Sequence, residues 1–77
     1  MSKNLIKTQL AVEIYKIFIS RRITQTEFGK VLSIKQAKVS RLCRGHLREF
    51  SLETLIDYLQ CLDRYVVIEI KESEPTD

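Results

Sequence analysis

A chain of 77 residues holds one domain and one small core, and so small a core makes oligomerisation a common source of added stability. Apolar residues at 44% and charged residues at 30% are ordinary for a globular domain and exclude a wholly disordered chain. The net charge is only +3, but Lys30, Lys35, Lys38, Arg41, Arg44 and Arg48, with His46 among them, form a run without an acidic residue, which suits a polyanion.

Residues 1–3 are expected to be a flexible N-terminus. From Asn4, which can serve as an N-cap, to about Ser20 there is no Gly or Pro, and a first helix is predicted. Ile6, Leu10, Ile14, Ile17 and Phe18 share one face of it. Leu5, Val12, Tyr15 and Ile19 widen the apolar arc to about twice the ~100° that a small monomer needs. Two readings stay open: the core wraps the whole arc, or the extra stripe is a second contact surface for another subunit or protein.

Thr24-Gln25-Thr26-Glu27 fits a capping box, with Ile23 and Phe28 placed for a hydrophobic staple. Phe28, Val31 and Leu32 give the inward face of this second helix. Gly29 in its interior costs about 0.8–1 kcal/mol against Ala, which a close approach of another element would justify. After a turn at Ser33-Ile34, Lys35 to Arg44 read as a third helix, with Val39 and Leu42 inward and Gly45 as a left-handed stop. Gln36, Ala37, Ser40, Arg41 and Arg44 then face out, with Lys38 on the flank. Ser51 caps a fourth helix that carries Leu52, Leu55, Ile56, Leu59 and Leu62, and Phe50 and Leu55 flank that cap. Tyr65 to Lys71 is rich in β-branched residues and reads as a strand. A lone strand has nowhere to place its ladder hydrogen bonds. It is therefore expected to pair with its copy in a second chain, with Tyr65, Val66, Val67, Ile68 and Ile70 at the dimer interface. Residues 72–77 are expected to be a disordered acidic tail.

Other chemistry is thinly supported. Cys43, His46 and Cys61 fall short of the four ligands of a structural zinc site, so no metal is expected, and both cysteines read as buried small hydrophobes. No Gly-rich phosphate loop or nucleophile–base arrangement stands out, and neither an enzyme nor a cofactor is expected. Lys3, Lys7, Glu13 and Lys16 interrupt any secretory or membrane-spanning run near the start, so a cytoplasmic protein with reduced thiols is expected.

A basic helix held by a preceding helix across a short turn is the helix-turn-helix arrangement. Amide and guanidinium side chains can read base edges in the major groove, and cations bind phosphates. In this motif the start of the second helix reaches the bases. That places Gln36, Ala37, Lys38, Ser40 and Arg41 at base edges, and Gln25, Lys35, Arg44 and His46 at phosphates.

Gln25-Thr26-Glu27 through Val39-Ser40-Arg41-Leu42 and Arg44-Gly45 resemble the Xre/Cro-type helix-turn-helix. Phe50-Ser51-Leu52-Glu53-Thr54-Leu55 and Asp63 to Ile70 resemble its branch of HigA-like antitoxins. Ser33 departs from the usual turn Gly, and Lys35 from the usual capping Ser or Thr. The fold so implied is a mainly α, four- to five-helix, lambda-repressor-like domain over residues 4–71. Its helix-turn-helix lies at 24–45, and its single C-terminal strand, 65–71, pairs across a dimer. The resemblance implies a homodimeric repressor on a palindromic double-stranded DNA operator, with a cognate toxin protein as partner and no membrane. Two alternatives remain: a phage- or plasmid-type regulator without a toxin, and a protein-interaction adaptor whose helix-turn-helix no longer binds DNA.

Overall fold

The structure is a computed structural model that describes residues 3–73. Its helices are α1 (Lys3–Arg21), α2 (Gln25–Leu32), α3 (Gln36–Cys43) and α4 (Leu52–Cys61), with a 3-10 turn at Leu47–Glu49. α1 opens at Lys3, one residue ahead of the expected Asn4 cap and inside the segment expected to be loose.

Local chemistry sets the helix starts. At α2 the Glu27 amide donates to Thr24 Oγ1 at 3.1 Å, and the Thr24 amide donates to Glu27 Oε1 at 3.0 Å, completing the capping box. At α4 the Thr54 amide donates to Ser51 Oγ at 3.0 Å. Phe50, just before that cap, and Leu55 are both buried, as a staple requires. Lys35 begins α3 with no side-chain cap, as its lack of an acceptor dictates.

The helix ends are equally local. Ser33 closes α2 in the left-handed region, at φ 60 and ψ 41. The Ile34 amide then donates back to the Gly29 carbonyl at 2.8 Å. At the end of α3, Gly45 takes φ 80. Its amide donates to the Leu42 carbonyl, and that of His46 to the Arg41 carbonyl, which is the Schellman pattern. A side chain at Gly45 would meet open space, so conformation alone favours glycine there. Gly29 differs. A Cβ there would lie 2.5 Å from the Ile34 carbonyl oxygen and 3.4 Å from Val39 Cγ2. The close approach expected at Gly29 is thus chiefly to the backbone of the α2–α3 turn, and secondarily to α3.

α2 packs chiefly on α3, and α1 on α4. The core joins Leu10, Ile14 and Ile17 of α1, Phe28 and Leu32 of α2, and Val39 and Leu42 of α3 to Phe50, Leu55, Tyr58, Leu59 and Leu62. Phe18 meets Phe28 with ring centroids 4.9 Å apart, and Phe50 meets Tyr58 edge-on at 6.2 Å. Tyr58 is a core member that the leucine pattern of α4 did not announce.

Of the two readings left open for α1, the core does not wrap the whole arc: Val12, Tyr15 and Ile19 stay 44%, 45% and 53% exposed. Two expectations on single residues need correction. Val31, expected inward, is exposed. Cys61, expected buried, is exposed, and Cys43 is half-buried.

Residues 64–73 follow α4 without regular structure, and no strand is present among the described residues. The physical reason is the one that motivated the pairing: one chain offers this segment no second strand. Val66 packs against the core, while Tyr65, Val67, Ile68 and Ile70 stand exposed. Of the expected acidic tail, residues 74–77 lie outside the described residues.

Candidate nucleic-acid interface

α3 is fixed from beneath and from both flanks. Beneath, Val39 and Leu42 are buried in the core. At the edge facing α2, Gln36 Nε2 donates to Gln25 Oε1 at 2.6 Å. A side-chain amide has one acceptor and two donor hydrogens. This bond uses one hydrogen of Gln36 and the oxygen of Gln25. Gln36 keeps its oxygen and a second hydrogen, the pair that matches adenine in the major groove. Gln25 keeps its NH2 group, a donor suited to phosphate.

At the other edge lie residues 49 and 50. Lys38 Nζ sits 5.6 Å from the centroid of the Phe50 ring, within cation–π range. Arg41 Nε lies 2.8 Å from Glu49 Oε1. That nitrogen is buried and has no well-directed hydrogen bond, so its contact with Glu49 is one of charge. Glu49 is the residue of this surface that sequence reasoning missed. It stands one residue beyond the acid-free run, and only the path of the 3-10 turn brings it back to α3.

Gln36, Ala37 and Arg44 are exposed, whereas Lys38, Ser40 and Arg41 are half-buried. Of the residues expected at phosphates, Lys35, Arg44 and His46 are exposed and Gln25 is half-buried. Lys35 immediately precedes α3, while Arg44 and His46 follow it. The arrangement presents a small central residue, Ala37, between long polar side chains and flanking cations. A duplex can approach such a surface closely.

Elsewhere the chemistry is spare. Hydrogen bonds from Thr24, the backbone one foremost, hold the Glu27 carboxyl below its ordinary range. Burial pushes the Cys43 thiol up, away from the nucleophilic thiolate. Burial also raises the Tyr58 hydroxyl, with a smaller contribution from Cys61. Among the described residues no group of three His, Cys, Asp or Glu side chains could hold a metal. Among them, too, no helix is long and apolar enough to cross a membrane.

Comparison with known proteins agrees with this geometry. A family model described as a helix-turn-helix domain matches residues 2–71. A solved structure assigned as an XRE family transcriptional regulator is 31% identical, with a TM-score of 0.87. The match covers 97% of this chain and 84% of that one. No curated protein matches the chain significantly. Matched over nearly its whole length, with the capped α2, the turn and the basic α3 in place, the chain belongs to the helix-turn-helix domain family, as an XRE-type transcriptional regulator.

Proposed function

We propose that the protein is a sequence-specific DNA-binding repressor that places α3 in the major groove and binds a palindromic operator as a homodimer. The observation that carries this reading is the exposed face of α3, with Gln36 held by Gln25 and its adenine-reading pair left open. Gln36, Ala37, Lys38, Ser40 and Arg41 lie at or beside base edges. Gln25, Lys35, Arg44 and His46 hold phosphates. The dimer forms through Tyr65 to Lys71, paired antiparallel with the same segment of a second chain. Exposed Tyr65, Val67, Ile68 and Ile70 favour that pairing, since burial against a partner removes apolar surface from water.

The finer assignment is the antitoxin of a toxin–antitoxin operon, resting on the resemblance of Phe50 to Leu55 and Asp63 to Ile70. The uncovered stripe of Val12, Tyr15 and Ile19 is a surface on which a toxin could dock. The same stripe favours the adaptor as a second reading.

Gel shift with the chain's own upstream DNA tests the main reading. Retardation that survives competitor DNA and weakens as salt rises is expected. Unaltered mobility at low salt, with folded protein, removes DNA binding and leaves the adaptor. The antitoxin assignment predicts an adjacent reading frame whose product co-purifies with this chain. Purification of the chain alone from cells expressing both counts against it.

A further inference from the structure

We propose that Glu49 is a specificity-determining positioning residue, which fixes the Arg41 guanidinium to act as a base reader. This rests on the DNA-binding reading above. Arg41 projects from the third quarter of α3, and a long, unrestrained cation on such a surface binds phosphates regardless of sequence. Its Nε instead lies 2.8 Å from Glu49 Oε1, and the two side chains are 37% and 42% exposed. The buried part of the guanidinium is therefore the part turned to Glu49.

Two physical consequences follow. First, the pair is neutral as a unit, so it adds little to the sequence-independent attraction of phosphates. Second, a guanidinium held at Nε loses swing but keeps both terminal nitrogens, the two-pronged donor that matches guanine O6 and N7. Glu49 trades general affinity for direction. Its own position is secured because it closes the 3-10 turn, and the next residue, Phe50, is buried and underlies Lys38. Residues 49 and 50 thus form a ledge that orders both mid-helix cations of α3.

The rival account makes Glu49 only a mask, a carboxylate that repels DNA. The two accounts differ in selectivity: a positioning role predicts that it falls when Glu49 is neutralised, a mask that affinity rises equally on every sequence. A duplex selected from a random-sequence library by the wild-type protein serves as the specific probe, and a scrambled duplex as the reference. For Glu49→Gln, the ratio of specific to scrambled affinity should fall about tenfold. The loss of preference should be confined to one base pair per half-site. The slope of log K against log salt should steepen by about 0.9 per protomer, or about 1.8 for the dimer, as each freed Arg41 finds a phosphate. In an Arg41→Ala background, Glu49→Gln should leave the ratio unchanged. A thermal melt checks that each variant is folded.

An equal gain on both duplexes, or an unchanged ratio with folded Glu49→Gln, overturns the role given to Glu49 while DNA binding stands. If the wild-type protein enriches no sequence at all, the DNA-reading account fails first, and the role of Glu49 with it.

Discussion

Two residues, Gly29 within α2 and Ser33 at its end, decide how the α2–α3 turn sets α3. Gly29 faces the Ile34 carbonyl so closely that a methyl group must displace backbone. Gly29→Ala should destabilise the domain by about 1–3 kcal/mol, the usual cost of overpacking, measured by urea denaturation. Ser33 is the converse case. It occupies the left-handed region at a cost that glycine avoids. Ser33→Gly should stabilise by about 0.5–1 kcal/mol after the extra entropy of the unfolded glycine is subtracted. The lowered Glu27 carboxyl makes a third statement. A carboxyl whose folded pKa lies below its unfolded value adds stability above the unfolded value and loses it as pH falls through the folded one. An NMR titration should therefore find Glu27 protonating below the ordinary glutamate value, and Thr24→Ala should bring it back up. At this scale the sequence was legible where the chemistry is local. The Thr24 box, the Ser51 cap and the Gly45 stop involve neighbours within five residues. Tyr58 was missed because its hydroxyl disguised a ring that packs on Phe50. Cys61 was misplaced because periodicity says little at a helix end.

Among the elements, α3 is the one proposed to carry the function, and the others hold it in position. Val39 and Leu42 anchor it, α2 meets it through Gln25, and the 3-10 turn meets it through Glu49. The outward set was readable from a period of about 3.6 residues once Val39 and Leu42 were placed inside. The contacts that orient the outward set were not readable. Gln25 and Gln36 stand eleven positions apart. Arg41 and Glu49 are separated by the Gly45 reversal. Such pairs follow from the tertiary path, which periodicity does not encode. Arg41→Ala should cost about 1–3 kcal/mol on the preferred sequence and relax one base position, read by binding isotherms on single-base variants. An equal loss on random DNA would reassign Arg41 to a phosphate. α1 is the element whose sequence posed the choice most openly. Its surplus apolar stripe is exposed, which settles that the domain's own core does not cover it.

In the whole molecule, the segment after α4 separates what one chain can show from what two would do. Its β-branched composition was plain, but a ladder needs a second strand. Removing Tyr65 to Asp77 should yield a folded monomer by sedimentation. A truncated dimer would move the seam to the apolar stripe of α1. Dimerisation bears directly on the central claim, because two copies of α3 must sit about 34 Å apart to enter successive major grooves of one palindrome. The most direct measurement is a nuclease footprint on the chain's own upstream DNA, with wild type and Ala37→Glu compared. The account predicts two protected half-sites related by two-fold symmetry, about 10–10.5 base pairs apart centre to centre, and their disappearance when a carboxylate occupies the middle of the α3 face. Protection without symmetry or sequence preference, or protection that persists in Ala37→Glu, would contradict it.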